Sequence, residues 1–238
     1  MGRAYEVRKA SIQKTGAAKA KLYSMYAREI YQVAKNGGTE PTGNPSLKRI
    51  LEKAKKEQVP ADIIKRAIDK VNSGADESYT AVRYEGFITG GATIIVDCLT
   101  DNVNRTVSYV KNAFTKSNNK VGVLGSVSHM YENLSVVVVK DMSEDEALEA
   151  LIMAEVDAKE IEEENGNVNI YGDPSDLYKI KDAILAAKPD AEFLMDEVTM
   201  IPNEMVTLSG EDKENFDKLI SMLDDIEDVQ KYYHNVSE

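Results

Sequence analysis

The sequence predicts an α+β protein of several domains, and three observations carry that reading. Apolar positions in the first third recur at helical steps, a later stretch runs strand and helix patterns in the order β-α-β-β-α-β, and the chain ends in a helix and strand with no sheet of their own. At 238 residues the chain is also longer than one hydrophobic core ordinarily organises.

From Ala17 to Asn36, residues Leu22, Tyr26, Ile30 and Val33 follow three- and four-residue steps, and Asn36-Gly37-Gly38 supplies a helix stop. Asn44-Pro45 opens a second helix, with Asn as N-cap and Pro at the first helical position. Leu47, Ile50, Leu51 and Ala54 form its apolar stripe, and Pro60 ends it. A third helix turns Ile64, Ala67, Ile68 and Val71 inward. Short connections make the three an N-terminal three-helix bundle, residues 1–78, with the segment around Gly74 as a linker.

Beyond the linker the period changes. Thr93 to Leu99 is rich in β-branched residues, Arg105 to Lys116 places Val107, Val110 and Phe114 on one helix face, and Ser126 to Tyr131 is expected as a second strand, giving a β-α-β unit. Then come strand 135–140, helix 144–156, strand 158–163, a turn at Asn165-Gly166, strand 167–171, helix 174–187 and strand 193–201. Ser143 with Glu146 forms a capping box, and Asp173-Pro174 a cap with proline at N1. That order is a ferredoxin-like (βαββαβ) domain, residues 133–203. The remaining helix, 211–225, and strand, 229–236, need a sheet. The simplest arrangement returns them to the first β-α-β unit, so that a discontinuous α+β middle domain, residues 79–132 plus 204–238, carries the ferredoxin-like domain as an insertion.

Composition excludes several function classes. No run of eighteen apolar residues occurs and no apolar stretch follows the basic N-terminus, so neither a membrane span nor a secretory signal is expected, and the protein is placed in the cytoplasm. The single cysteine, Cys98, forms no internal disulfide and reads as a small buried hydrophobe. Glycine spacing fits neither a dinucleotide fingerprint nor a P-loop, and no nucleophile-base signature is present. His129, expected on the strand with Val127 and Tyr131, and His234 read as structural histidines. The acidic runs Glu162-Glu163-Glu164 and Asp224-Asp225 read as solvated faces. The expectation is therefore a protein without catalysis, metal or cofactor.

Charge points to a polyanion. The net charge is -12, yet residues 1–71 hold 16 Lys and Arg against 7 Asp and Glu, while residues 141–238 hold 7 against 28. A basic first third on an acidic remainder suggests a nucleic-acid-facing module attached to something else. Lys14, Lys21, Arg28 and Lys35 recur every seven residues along the face away from the first helix's apolar stripe, and Lys48, Arg49, Lys53 and Lys56 lie opposite the stripe of the second. Together with the arm residues Arg3, Arg8, Lys9 and Lys14, these cations are the candidate phosphate contacts. Tyr5, Tyr23 and Tyr26 are the aromatics placed to stack on bases, with Tyr26 read first as core. In Leu99-Thr-Asp-Asn-Val-Asn-Arg-Thr106, capping accounts for the Asp and Asn residues and leaves Arg105 pointing outward as a further candidate.

Seven blocks in order carry a family resemblance: Lys21 to Ile30, Asn44-Pro-Ser-Leu-Lys48 with Ala54-Lys55 and Val59-Pro60, Arg66 to Lys70, Arg83-Tyr-Glu-Gly-Phe87, Leu99 to Thr106, Gly125-Ser-Val-Ser128 and Tyr233-His-Asn235. By these the sequence resembles the YebC family, a group of transcriptional regulators that includes a mitochondrial translational activator. The start Gly2-Arg-Ala-Tyr5 and the lack of tryptophan look more like its shorter-headed YeeN-type branch. Met25 stands where the family is commonly basic, and Ile88-Thr89 where Gly-Pro is usual. The resemblance implies the same three-part architecture and gene regulation without catalysis. It leaves open a DNA-binding transcriptional regulator, an RNA- or ribosome-associated translation factor that relieves stalling at proline runs, and an adaptor that binds a protein partner through the acidic domain.

Overall fold

The computed structural model describes residues 16–74 and 78–237, with side chains from Lys19 onward. It is a mixed α+β structure whose residues group into two compact units. One takes in the described part of Lys14–Val127 together with Leu208–His234; the other takes in Ser128–Thr207 with the last residues of the chain.

In the first unit three helices follow one another: α1 (Gly16–Gly37), α2 (Pro45–Lys56) and α3 (Ala61–Asn72). Gly38, at φ 93°, stops α1 and donates its N–H to the Ala34 carbonyl at 2.9 Å. Asn44 then serves two helices at once. Its Oδ1 accepts the Leu47 N–H at 3.1 Å to cap α2, and its amide donates to the carbonyls of Val33 and Gly38 at the end of α1. Tyr26, Ile30, Ala34, Leu47, Ile50, Ala54, Val59 and Ala67 close the bundle core.

The same unit holds an antiparallel sheet in the order β3-β1-β2-β9, made of β1 (Thr80–Phe87), β2 (Thr93–Thr100), β3 (Lys120–Val121) and β9 (Val229–His234). The β1-β2 hairpin closes through Gly90 and Gly91, both at positive φ. Helices α4 (Val103–Lys116) and α7 (Gly210–Asp224) pack against each other and the sheet, burying Val110, Phe114, Leu219 and Leu223. A Cβ added at Gly86 would fall on the Phe114 ring and within 2.9 Å of the Lys120 carbonyl oxygen. Gly86→Ala is therefore expected to cost about 3 kcal/mol, the upper end for overpacking, because one obstacle is backbone. Thermal unfolding checks this, and a parent-like midpoint would mean that the ring and the β3 backbone both yield.

Two expectations change here. Ser126 to Tyr131 is not a strand: Ser128–Met130 is a 3-10 turn and Tyr131 already begins the next strand, β4 (Tyr131–Lys140). The reason lies in buried Glu85 of β1, whose carboxylate accepts the backbone N–H groups of Gly125 at 2.8 Å and Val127 at 2.6 Å, occupying donors that a strand partner would need. His129 accordingly sits exposed in the 3-10 turn and not on a strand. The terminal strand is also divided. Residues up to His234 pair with β2, while β10 (Val236–Ser237) pairs parallel with β8 (Val206–Thr207). His234 packs edge-on against Phe216, centroids 4.9 Å apart.

The second unit has the ferredoxin-like order. Strands β4 (Tyr131–Lys140), β5 (Glu160–Glu164), β6 (Asn167–Gly172) and β7 (Phe193–Pro202) are arranged β5-β6-β4-β7, with α5 (Glu144–Met153) and α6 (Leu177–Ala187) as the crossovers. Alternation along β4 places Val137 and Val139 in the core with Leu151, Ile170, Ile180 and Ile184, and Val136 and Val138 on the other face with Tyr171 and Ile201. The Ser143-Glu146 capping box is complete, and the bonds from the Ser143 backbone and hydroxyl hold the Glu146 carboxyl below its usual range. Helix α5 ends at Met153, short of Val156, because Glu155 turns to φ 55°.

Candidate nucleic-acid interface

The predicted cations fall into three groups. Arg3, Arg8, Lys9 and Lys14, with Tyr5, lie outside the described residues. Lys48 and Arg49 on α2 are exposed, with Lys55 and Lys56 exposed beyond them and Lys53 half-buried. They share this face because Leu47, Ile50 and Ala54 turn the other one into the bundle core. The helix carries five cations and one acid, Glu52, in twelve residues.

Lys21, Arg28 and Arg105 behave differently. Lys21 Nζ donates to the carbonyls of Leu223 at 3.2 Å and Asp224 at 2.8 Å, which supplies a cation to the end of α7 where its carbonyls lack partners. Arg28, with a side chain only 15% exposed, donates to Asp228 Oδ1 at 2.9 Å, to Glu227 Oε2 at 3.1 Å and to the Glu227 carbonyl. Arg105, expected to point away from the fold, reaches both Asp228 oxygens at 2.9 and 3.0 Å and Asp101 at 2.7 Å. Thus the structure gathers Arg28 and Arg105 on one carboxylate and leaves the α2 cations on a separate surface.

Asp228 is the centre that sequence reasoning missed. It stands beside a register shift in the β2-β9 ladder, where Asp97 pairs with Lys231 but Cys98 with Val229, a bulge that re-aims the local chain. Its carboxylate also accepts the Thr106 hydroxyl at 2.7 Å, and its carbonyl accepts the Leu99 N–H at 2.9 Å. Burial pushes the carboxyl up, but hydrogen bonds from Thr106 and Arg105 and the charges of Arg105 and Arg28 outweigh it and hold Asp228 below the usual carboxylate range. The one available signal was the Glu227-Asp228 pair just before a strand, and it resembles any other acidic run of the last third. Nearby, burial first and then the charges of Asp228 and Asp97 push the Cys98 thiol up to about 12, so at neutral pH it is not a nucleophile. Among the described residues no group of three or more His, Cys, Asp or Glu is placed to hold a metal ion, and no helix is long and apolar enough to cross a membrane.

The cations thus have two destinations, a docking network for α1 and an exposed helical surface. Residues 3–74 match the TACO1/YebC protein N-terminal domain, and residues 79–236 the TACO1/YebC second and third domain. A "Probable transcriptional regulatory protein" of Pseudoalteromonas atlantica is 49% identical over 235 residues, covering 99% of this chain and 97% of the relative. One of the same name from Shewanella oneidensis is 48% identical, covering 99% and 98%. The crystal structure of a conserved hypothetical protein, Aq1575, from Aquifex aeolicus superposes with a TM-score of 0.77 at 32% identity, covering 94% of this chain and 92% of that one. With both matches together spanning nearly its full length, the chain belongs to the TACO1/YebC family.

Proposed function

We propose that the chain is a non-enzymatic, cytoplasmic regulator of gene expression that binds nucleic acid through the outward face of α2. The observation that carries this is the cluster Lys48, Arg49, Lys53, Lys55 and Lys56 on one short helix, next to a bundle core that holds the helix rigid. The relatives' shared name, transcriptional regulatory protein, supports DNA as the first target. In this reading the arm residues Arg3, Arg8, Lys9 and Lys14 add contacts, while Lys21, Arg28 and Arg105 hold α1 in place instead of meeting phosphate. The three-domain parse of 1–78, 79–132 with 204–238, and 133–203 then assigns binding to the first part and leaves the acidic third as a surface for a protein partner.

The test separates the two groups of cations. Lys48→Ala and Arg49→Ala are each expected to flatten the dependence of log K on log salt by about 0.7 to 0.9, similarly across sequences, with unchanged thermal stability. Lys21→Ala and Arg28→Ala are expected to lower the melting temperature and leave that slope alone. Binding insensitive to salt, or no binding at low ionic strength, would transfer the function to the acidic domain and a protein partner.

A further inference from the structure

Helices α1 and α3 leave a groove of about 580 Å³ between them, floored by the small side chains Ala27 and Ala67 and walled at one end by Tyr79, which leads into β1. The volume lies within the roughly 300–1,000 Å³ of sites that take small organic groups. Tyr23 and Tyr31 stand two turns apart on the same face of α1, and Tyr79 meets Tyr31 edge-on at 5.9 Å between centroids with an interplanar angle of 80°. Tyr31 is buried, whereas Tyr23 and Tyr79 are half-exposed. Arg28 lies over the Tyr79 ring with its Cζ 5.9 Å from the centroid, and its charge is held by Asp228, so ring and guanidinium fix one another. The rim carries Arg66 and Lys70 from α3, both exposed, and among the described residues no carboxylate lines the groove. Arg66 does pair with Asp62 one turn back, but that pair is open to solvent on both sides and exchanges cheaply for a phosphate.

We infer that this groove binds an unpaired stretch of nucleic acid, with a base stacked on Tyr79 or Tyr23 and the adjoining phosphate at Arg66 and Lys70. Flat half-exposed rings beside cations are the recognition chemistry of single strands. A paired base keeps both faces covered by its neighbours in the stack and has none to offer a tyrosine. The groove is also bounded. On the far side of Tyr79 the next cleft sets Asp101, Asp225, Glu227 and Asp228 against Arg28 and Arg105, an acidic balance that disfavours a polyanion, so the site holds only a nucleotide or two. The inference rests on the nucleic-acid reading above and adds to it the strandedness of the target and the residues that sense it.

The chain has no tryptophan, so Tyr79→Trp in the full-length protein places a single tryptophan, excited selectively over the tyrosines, at the proposed stacking position. Single-stranded RNA and DNA oligonucleotides are expected to quench it, a hairpin duplex of the same length far less, and an abasic oligonucleotide not at all. The ratio of the RNA to the DNA affinity then identifies the sugar preferred. In anisotropy titrations Tyr79→Leu and Tyr23→Leu are each expected to weaken single-strand binding about tenfold while leaving duplex binding within twofold, and Tyr79→Phe to bind like the parent. Should Tyr79→Leu fail to fold, the tryptophan and phenylalanine variants and Tyr23→Leu still decide the matter. Oligonucleotides that bind with a normal salt slope yet leave the tryptophan silent would overturn the inference and spare the α2 reading, as would quenching by the abasic strand. Absence of binding to every oligonucleotide would overturn both.

Discussion

Asp228→Ala is expected to destabilise the protein by about 3 to 5 kcal/mol, the range for removing one partner of a buried ion pair. The carboxylate is only 3% exposed and is shared by Arg28, Arg105 and Thr106. Without it the Arg28 guanidinium, itself only 15% exposed, keeps the solvent-facing Glu227 as its remaining acidic partner. Arg105 retains Asp101, at 58% exposure a weak substitute. Asp228→Asn is expected to cost less, because the amide oxygen still accepts from Thr106. The pH dependence follows from the direction of the shift. A carboxyl held below its unfolded value contributes stability that is fully present above the unfolded pKa of about 3.9 and is lost as pH falls through the folded value. Urea midpoints at pH 7, 5, 4 and 3 should therefore fall less steeply towards acid in Asp228→Asn than in the parent. Equal midpoints at pH 7 for the parent and Asp228→Ala would show that the network contributes nothing.

Ending the chain at Thr207 is expected to abolish cooperative folding of the unit that contains α1–α3 and β1–β3. The deletion removes β9, so β2 loses its partners from Ile94 to Cys98 and becomes an open edge. It also removes α7, whose Phe216, Leu219 and Leu223 are buried and each represent about 2 kcal/mol of burial, and with it the Leu223 and Asp224 carbonyls that accept from Lys21 and the Glu227 and Asp228 carboxylates that accept from Arg28. The ferredoxin-like unit keeps its four strands and both helices, losing only the two-residue β10. Hydrogen exchange should show protected amides in Val136–Val139 and Val168–Ile170, and near-complete exchange across Thr93–Leu99. Retained protection of Ile94–Val96 in the truncated chain would contradict this.

The sequence by itself determined the features whose signals are short in range. The three helices follow from apolar steps, a glycine stop and the Asn44-Pro45 cap. The ferredoxin-like order follows from alternating periods and the Ser143-Glu146 box, and the exposure of Lys48 and Arg49 follows from the stripe opposite them. Strand β1 escaped notice because its pattern breaks the rule that buried positions are apolar: Glu85 is inside for the sake of two loop N–H groups, and Arg83 pairs across the hairpin with Asp97 at 2.6 Å. The same Glu85 turned the expected strand at Ser126 into a loop. Only the tertiary structure decided which cations meet solvent. Lys21, Arg28 and Lys48 look alike along a helix, since each lies off the apolar stripe. Arg28 is drawn in by a carboxylate 200 residues away and Lys21 by a helix end 203 away, whereas Lys48 stays exposed and meets no such distant group among the described residues. The physical reason is that helix periodicity tells which side chains face away from their own bundle. Whether a second surface of opposite charge then covers that face depends on where the chain returns, and β9 returns to β2 with Asp228 at its start.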